Sequence, residues 1–440
     1  MRFAIYTLGC KVNQYESQAM ESILRGAGHT LVDVEEDADL YLVNTCSVTA
    51  VSDKKSRQVI RRLRRAHPEA VIAVCGCYTQ AKPQEAAVLG VDLVSGTGDR
   101  LAFLDEVQSL VRRREARVTV DDPFRRRTFE VLPAGGLEGR TRAMLKVQDG
   151  CRNFCAYCII PYTRGALRSE PPETAREQAI ALAEAGYSEI VLTGIEISSW
   201  GAERRDGLTL IDLIETVCRA IPSARVRLGS LEPRTVTEEF CRRASALPNL
   251  CPHFHLSLQS GCDATLARMR RRYDTARYLT SCALLRQWFD RPAITTDLIV
   301  GFPGETEEEF AATLAFLEQA RFAGMHIFPY SRRPGTPAAA MPDQVPNAVK
   351  EARAHRAAAV AARLQEAYLS DWVGQTLPVL LEEARGGLWQ GHAPNYAEVC
   401  APGEGNLHNV LVQIRAERVE DGRLIGRIVP DGTGAVPPMV

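Results

Sequence analysis

Residues 149–165 read "DGCRNFCAYCIIPYTRG", and this stretch holds three cysteines, Cys151, Cys155 and Cys158, at the spacing C-x3-C-x2-C. It directly follows the strand-like segment "AMLKVQDG", and in barrels of alternating strands and helices the chemistry lies on the loops after the strands. Three thiolates suit a [4Fe–4S] cluster in which one iron lacks a protein ligand. An open metal position is where a substrate or cofactor binds. The alternative is a zinc site completed by a distant cysteine or histidine.

The residues around this stretch predict the fold class, which is α/β. Residues 141–365 contain about six βα units, too few for an eight-unit barrel, so we expect an open, partial (β/α)6 barrel. Residues 1–125 contain four strand-like segments ("RFAIYTLG", "ADLYLVNTC", "AVIAVCGC" and "VDLVSGTG") that alternate with helical ones, which predicts a parallel sheet with ligands at the carboxyl ends of its strands. Residues 112–140 read as an Arg-rich linker. Short strands between glycine turns over 372–433 suit a small C-terminal β-barrel.

The composition is that of an ordinary globular protein, with 440 residues, 45% hydrophobic and 24% charged. Because the net charge is −1, any contact with nucleic acid must use local patches. The chain lacks a run of about 18 apolar residues and a signal-peptide layout, so we expect a cytoplasmic protein without membrane contact. Disulfides are a poor explanation for its 13 cysteines in a reducing compartment. Four isolated ones read as small buried hydrophobes, namely Cys218, Cys241, Cys282 and Cys400.

The C-x3-C-x2-C loop on a partial barrel resembles the radical S-adenosylmethionine superfamily, in which the cofactor's amino and carboxylate groups chelate the fourth iron and its reductive cleavage yields a 5′-deoxyadenosyl radical. Further segments resemble the methylthiotransferase family over nearly the whole chain. They are "TLGCKVNQYES" (7–17), "NTCSVT" (44–49), "CGCYTQ" (75–80), "HLSLQSGCDATLARMRRRYDT" (255–275), "DLIVGFPGETEEEF" (297–310) and "YSRRPGTPAA" (330–339). The resemblance implies an N-terminal cluster-binding domain (1–125), a radical S-adenosylmethionine core (141–365) and an RNA-binding TRAM domain (372–433).

The resemblance also implies a second [4Fe–4S] cluster, held by Cys10, Cys46 and Cys77, whose open iron carries the sulfur to be delivered. Cys75 is a competing ligand, because in an extended segment Cys75 and Cys77 would point to the same face. The family's glycine-cysteine pair aligns with Gly76-Cys77 and favours Cys77. Two molecules of S-adenosylmethionine are used per turnover, one to methylate the sulfur and one to generate the radical. We assign no catalytic residue beyond the cluster ligands.

Residues at strand ends are the predicted contacts of S-adenosylmethionine. Ser230 could instead be a turn hydroxyl, and His255 a satisfied core histidine. Gly301 would let the backbone approach the adenosine. Arg164 and Arg168 are predicted partners for a carboxylate or a phosphate, whereas Glu170 stands where relatives often carry arginine. The full predicted cofactor set is Glu196, Ser230, Glu232, His255, Gln259 and Gly301.

The N-terminal "GCKVN" resembles the branch of the family that acts on N6-threonylcarbamoyladenosine 37 of tRNA and adds a methylthio group at C2, giving ms2t6A37. The alternatives are the isopentenyladenosine branch, the ribosomal-protein aspartate branch and a non-enzymatic iron–sulfur scaffold that holds RNA. The implied partners are the anticodon loop of ANN-decoding tRNA, an electron donor such as flavodoxin or ferredoxin, and a sulfur source.

Two regions are predicted to contact RNA. One is the basic helix 54–67, whose alternative is an ordinary solvated face. The other is a face of the C-terminal barrel with Trp389 and Tyr396. Because residues 371–440 hold five Arg, no Lys and nine acidic residues, the alternative is that this barrel only positions the chain. The arginines predicted to bind RNA, including the two beside the cysteine loop, are Arg57, Arg61, Arg64, Arg65, Arg164, Arg168, Arg415 and Arg418.

Overall fold

A computed structural model describes residues 1–113, 116–134 and 141–430, without the side chains of residues 111–113. Residues 2–119 form a six-stranded parallel sheet in the order β2-β1-β3-β4-β5-β6, with helices on both faces. The bounds are β1 Arg2–Thr7, α1 Lys11–Gly26, β2 Thr30–Leu31, β3 Leu40–Thr45, α2 Ala50–Ala66, β4 Val71–Gly76, α3 Cys77–Ala81, α4 Pro83–Ala87, β5 Leu93–Ser95, α5 Arg100–Arg113 and β6 Arg117–Thr119.

The predicted parallel sheet is confirmed, and its central strands are buried on both faces. Strands β3 and β4 are buried along their whole length, which explains their nearly continuous apolar sequences. Two short strands join the four predicted ones. One of them, β6, lies inside the segment predicted as a linker, and its three residues are exposed. Its position follows from pairing with β5 rather than from its own sequence.

The middle of the chain folds into the predicted open barrel. Its bounds are β7 Arg142–Asp149, α6 Ile160–Arg164, β8 Arg168–Ser169, α7 Pro172–Glu184, β9 Glu189–Gly194, α8 Leu210–Ala220, β10 Arg225–Leu228, α9 Glu238–Ser245, β11 His253–His255, α10 Asp263–Arg268, α11 Thr275–Trp288, β12 Ala293–Val300, α12 Glu307–Ala320, β13 Gly324–Pro329, α13 Pro337–Ala340 and α14 Asn347–Ser370.

The six parallel strands of this barrel fall into two hydrogen-bonded sheets. One has the order β10-β9-β7-β8, in which β8 is a short antiparallel addition, and the other has the order β11-β12-β13. Two isolated parallel bridges join them, Val226 with Leu250 and Leu231 with Leu256. Within the described residues β7 and β13 do not pair, so the barrel stays open between its first and last strands.

The C-terminal strands form a closed barrel in the order β14-β15-β16-β18-β17, as predicted. They are β14 Thr376–Arg385, β15 Leu388–His392, β16 Glu398–Ala401, β17 Leu411–Glu420 and β18 Arg423–Val429. The domain bounds 1–125, 141–365 and 372–433 stay predictions, and residues 431–433 lie outside the described part. Among the described residues there is no helix with the length and apolar character needed to cross a membrane.

Candidate active site

The three cysteines of residues 149–165 lie on the loop that leaves the carboxyl end of β7. Gly150 begins this loop with φ +77, and an added Cβ would collide with the carbonyl oxygen of Ala166. A glycine is therefore needed for the tight return of the loop. The Cys151 amide donates to the Gly165 carbonyl at 3.1 Å, which closes the loop on itself.

The thiols of this loop lie within electrostatic range of one another. Burial raises the pKa of Cys158, and the charges of Cys155 and Cys151 raise it further. Burial likewise raises the pKa of Cys151 to about 12. Arg271 donates to the Cys155 sulfur at 3.2 Å, a contact that the sequence did not point out. Such thiols stay protonated alone and become thiolates when a metal binds.

The second set of thiols gathers at the carboxyl edge of the N-terminal sheet. Cys10, Cys46 and Cys77 follow β1, β3 and β4, which are neighbours in the sheet. Gly9 has φ +106, and an added Cβ would lie 2.9 Å from the Cys46 sulfur. Burial raises the pKa of Cys46 and that of Cys77. The charge of Cys77 also raises the pKa of Cys46, and the charge of Cys10 also raises that of Cys77, so the three thiols lie within electrostatic range of one another.

Cys75 does not point to the same face as Cys77, contrary to the expectation from an extended segment. Strand β4 ends at Gly76, whose φ of +107 turns the chain, and Cys77 begins helix α3. Cys75 is fully buried in the apolar core against α5. This placement favours Cys77 as the ligand.

Both thiol sets fit [4Fe–4S] clusters by their chemistry. Within the described part of the chain, no three cysteine, histidine or carboxylate side chains are grouped to hold a single metal ion. A cubane cluster binds each thiolate through a different iron, so its ligands spread more widely than those of one ion. Each set supplies three soft sulfur donors, and three donors leave one iron of each cluster open.

A buried network of charges lies between the two sets. Glu16 of α1 accepts from Arg100 at 2.9 Å, from Lys146 at 3.2 Å and from Arg164. Asp149 pairs with Lys146 at 2.8 Å and with Arg168 at 3.3 Å. Burial alone would raise the pKa of Glu16, but the three cations outweigh it and hold that pKa well below its usual range.

The prediction that Arg164 and Arg168 contact RNA is wrong, because the two residues are 0% and 4% exposed. Their partners are carboxylates of the protein itself, since Arg164 pairs with Glu16 and Arg168 with Asp149. Arg164 also donates to Asn13 Oδ1 at 2.9 Å. Its charge opposes the burial that raises the pKa of Cys77, so this arginine acts on both cysteine regions.

Glu196 is the predicted cofactor contact that the geometry supports most. Its amide donates to Gln148 Oε1 at 2.8 Å, and Ser199 donates to its carboxylate. The other carboxylate oxygen is buried without a hydrogen-bond partner. Burial is the main cause that raises the pKa of Cys151, and the negative charge of Glu196 raises it further. The carboxylate of Glu196 therefore lies close to the cysteine loop. An unsatisfied buried carboxylate oxygen here fits the ammonium of S-adenosylmethionine.

The other predicted cofactor residues have protein partners or face a cleft. Glu232 accepts from Arg234 at 2.9 Å. His255 contacts Thr295 at 3.1 Å through Nδ1, and its Nε2 lies 3.3 Å from Asp297, so each ring nitrogen has a polar neighbour within the protein. Ser230 is exposed and lines a cleft of about 600 Å³ together with His255.

Two predicted cofactor residues occupy left-handed backbone positions. Gln259 has φ +71, and it bridges strand β12 by accepting from the Ile299 amide at 2.9 Å. Gly301 has φ +69, an added Cβ would collide with Lys350, and its amide donates to Glu305 at 2.6 Å. Contacts within the protein thus explain why a glycine is needed at position 301. Its role toward adenosine stays a prediction.

The predicted RNA contacts on α2 divide into free and engaged arginines. Arg64 donates to the carbonyls of Gly90, Pro68 and Ala70 and pairs with Asp92, so it holds the fold together. Arg57 is 3.9 Å from Glu85 and lies over the ring of Tyr78. Arg61 and Arg65 are exposed and form no ion pair within the described residues, so these two remain the candidates on this helix.

The predicted RNA face of the C-terminal barrel is only partly present. Trp389 is buried in the barrel core, so its prediction as a stacking residue is wrong. Tyr396 stacks between His253 and His392, with centroid distances of 4.8 and 4.7 Å. Arg415 and Arg418 are both exposed on β17, and Arg418 pairs with Glu420 at 2.9 Å. Their RNA contact stays a prediction.

Comparison with known proteins identifies the class. The profile of the Radical SAM superfamily matches residues 145–317, and that of "Uncharacterized protein family UPF0004" matches residues 2–96. The fold is similar to the radical S-adenosylmethionine methyltransferase TsrM from Kitasatospora setae, with TM-score 0.57 and 15% identity over 88% of this chain and 79% of that one. It is also similar to the cobalamin-dependent radical enzyme OxsB, with TM-score 0.52 and 12% identity over 77% and 54%. Fold and profile together define a radical S-adenosylmethionine enzyme.

Individual relatives identify the family within this class of enzymes. The chain is 41% identical to "Threonylcarbamoyladenosine tRNA methylthiotransferase MtaB" of Bacillus subtilis over 94% of this chain and 93% of the relative. It is 36% identical to the protein of that name in Chlamydia pneumoniae over 97% and 98%. It is 34% identical to "tRNA-2-methylthio-N(6)-dimethylallyladenosine synthase" of Syntrophotalea carbinolica over 97% and 96%. The chain belongs to the tRNA methylthiotransferase family, and its cofactors are S-adenosylmethionine and [4Fe–4S] clusters.

Proposed function

We propose that this enzyme replaces the C2 hydrogen of N6-threonylcarbamoyladenosine 37 in tRNA with a methylthio group, which gives ms2t6A37. The observation that carries the proposal is the pair of three-thiol sets joined by one buried charge network. The relatives support the substrate, because those with 36–41% identity bear the threonylcarbamoyladenosine name. The dimethylallyladenosine synthases follow at 32–35% and make the isopentenyl substrate the second candidate.

Each thiol set has its own part in this reaction. Cys151, Cys155 and Cys158 would hold the cluster that binds S-adenosylmethionine, and the second set would hold the cluster that presents sulfur. When bound, these groups supply a 5′-deoxyadenosyl radical from one S-adenosylmethionine, a methyl group from another, and the transferred sulfur. Such a radical is needed because acid–base chemistry at neutral pH does not remove a hydrogen bound to an aromatic carbon.

The residues of the chain bind and orient these groups. Glu196 would pair with the cofactor's ammonium, because its free oxygen is buried beside the cysteine loop. Arg271 would neutralise part of the negative charge of the Cys155 thiolate through its contact at 3.2 Å. The network of Glu16, Asp149 and Arg164 would fix the two cysteine regions relative to each other, since none of these side chains can move without leaving a buried charge unpaired.

The reaction needs partners that the sequence predicts. They are the anticodon loop of ANN-decoding tRNA, an electron donor such as flavodoxin or ferredoxin, and a sulfur source. A tRNA substrate agrees with the predicted cytoplasmic location. Arg61 and Arg65 are the arginines of α2 that remain available to tRNA phosphates.

The test is expression of the chain in cells that lack their own enzymes of this family, followed by mass spectrometry of tRNA nucleosides. We expect ms2t6A to appear and 2-methylthio-N6-isopentenyladenosine to stay absent. Product on isopentenyladenosine alone would assign the second candidate instead. A methylthio group on a ribosomal-protein aspartate with no tRNA product would assign the third branch. With Cys151→Ala or Cys10→Ala, no product is expected, and product from either variant would contradict the two-cluster assignment.

A further inference from the structure

Lys11 stands at the meeting point of two clefts beside the candidate site. It is the first residue of α1 and directly follows Cys10. It lines a cleft of about 600 Å³ that also includes Ser230, His255 and Asp297. It also lines a second cleft of about 650 Å³ between the core and the C-terminal barrel. Lys11 therefore belongs to the walls of both clefts and is joined in the chain to Cys10.

The other cations of these cleft walls already have carboxylate partners. Arg142 pairs with Glu382 at 3.0 Å, and Arg227 pairs with Glu189 at 2.6 Å. Lys11 is exposed. Within the described part of the chain, its ammonium has neither a hydrogen bond nor an ion pair. Glu383 also lines the second cleft, but it forms no ion pair with Lys11. Among the described residues Lys11 is thus a cation without a partner that lines both clefts, and it fits an anionic group.

Two anions of a modified tRNA could meet this cation, a backbone phosphate or the carboxylate of the threonylcarbamoyl group. The position beside Cys10 favours the carboxylate. In adenine, C2 and C6 flank the same ring nitrogen, so a substituent on N6 remains near the carbon that receives the sulfur. A base with its C2 at the second thiol set would hold its N6 substituent beside the next residue of the chain. The dimethylallyl group of the other relatives carries no charge and would gain nothing from an ammonium.

We propose that Lys11 is a specificity-determining residue that binds the carboxylate of the threonylcarbamoyl group, and this inference rests on the proposed function. The ammonium of Lys11 donates to the carboxylate, as in other charge-assisted pairs. This contact adds discrimination between a substituent with a carboxylate and a neutral one. It leaves the chemistry at C2 to the bound cofactors.

The experiment compares three synthetic anticodon stem-loops that differ only at position 37. One carries the threonylcarbamoyl group, one carries the same group with its carboxylate converted to a primary amide, and one carries unmodified adenosine. Their dissociation constants are measured by fluorescence anisotropy with the reconstituted enzyme in the absence of S-adenosylmethionine. Turnover of the first two is then measured as kcat/KM. The variants are Lys11→Met, Lys11→Arg and, as a matched loss of one lysine, Lys82→Met, because Lys82 pairs with Glu85 at 3.1 Å away from the clefts.

For Lys11→Met we expect the carboxylate stem-loop to bind about 10- to 100-fold more weakly, the range for losing a hydrogen bond to a charged group. The amide and unmodified stem-loops should change by less than about 2-fold, because a neutral group lacks this charge-assisted contact. Lys11→Arg should restore most of the preference, and Lys82→Met should leave it intact. Iron content and the spectrum of the clusters should match wild type in all variants, which separates the contact from damage to the Cys10 site.

Each other outcome overturns the inference. Equal weakening of all three stem-loops would assign Lys11 to a phosphate, and equal binding by wild type and Lys11→Met would remove it from the substrate site. Loss of iron in Lys11→Met without rescue in Lys11→Arg would give it a role in the Cys10 site instead. If wild type fails to methylthiolate the carboxylate stem-loop but modifies an isopentenyl one, the proposed function itself fails. That outcome is visible before any variant is compared.

Discussion

Replacing Glu16 by glutamine tests the charge network that lies between the two thiol sets. Glu16 is 1% exposed and pairs with Arg100, Lys146 and Arg164, which are themselves buried. A glutamine of nearly the same shape keeps the packing but removes the negative charge, so three buried cations lose a shared partner. Breaking a buried ion pair on one side costs about 3–5 kcal/mol, because the remaining charge is left uncompensated. Asp149 still partners Lys146 and Arg164, so we expect the cost of Glu16→Gln to stay within this range, at about 3–5 kcal/mol.

The matched control is Glu36→Gln, because Glu36 also pairs with an arginine, Arg2, at 2.9 Å, but both side chains are about half exposed. Exposed pairs contribute about 0–1 kcal/mol. The free energy of unfolding of both apo variants is measured by urea denaturation at pH 7 and followed by circular dichroism. A cost for Glu16→Gln that does not exceed that of Glu36→Gln would refute the argument from burial.

The pH dependence of the free energy of unfolding is a second test of Glu16. The pKa of Glu16 is held well below its ordinary value of 4.5 in the folded protein, so its contribution is fully present above about pH 4.5 and is lost as the pH falls further. Between pH 5 and pH 3 the wild type should therefore lose more stability than Glu16→Gln. Parallel curves for the two proteins over this range would contradict the assignment of a charged carboxylate.

Three further predictions concern single features of the site. Cys77→Ala should lose about half of the iron bound after anaerobic reconstitution, whereas Cys75→Ala should retain nearly all of it, since Cys75 lies in the apolar core; the reverse result would make Cys75 the ligand. Burial raises the pKa of Glu170 to about 8, and both its carboxylate oxygens are without a hydrogen bond. The folded protein then keeps a proton that the unfolded chain releases above about pH 4.5, so wild-type stability should fall from pH 5 to pH 8, and Glu170→Gln should remove that part of the fall; urea midpoints at the two pH values that move equally in both proteins would contradict this. Changing Arg61 and Arg65 together to glutamate should weaken tRNA binding and flatten its salt dependence, with a slope smaller by about 1–2 phosphate contacts, and an unchanged slope in a filter-binding titration would remove α2 from the tRNA surface.

The fold was largely predictable because its central strands carry their own signal. Strands β3 and β4 are buried on both faces, and such strands are almost wholly apolar. The predicted convergence of Cys10, Cys46 and Cys77 is confirmed by the sheet order, in which β1, β3 and β4 are adjacent. Strand β6 could not be predicted, because its three exposed residues owe their conformation to the neighbouring β5.

The site was less predictable where a partner lies far away in the sequence. Beside the cysteines, Arg164 and Arg168 look like ligands for phosphate, and only the fold places Glu16 against Arg164 from 148 residues away. One signal was present, because Glu16 stands on the buried face of α1 with Val12 and Met20. A carboxylate on the apolar face of a helix indicates a buried cation nearby. The sequence also did not show that Gly76 turns the chain between Cys75 and Cys77, since a positive φ is a property of the folded backbone.

The position of Arg164 explains how one short stretch serves both halves of the site. Asp149 and Arg164 stand near the two ends of the cysteine loop and lie 3.5 Å apart, so the loop is closed by its own charges. The other side of Arg164 contacts Asn13, whose amide donates to the carbonyls of Leu8 and Thr45, the residues just before the Cys10 and Cys46 loops. Because a buried ion network holds its members in one arrangement, the spacing between the two thiol sets is set by the protein rather than by the substrate. Transfer of sulfur to a carbon radical requires such a fixed separation, and Arg164 supplies a direct link across it.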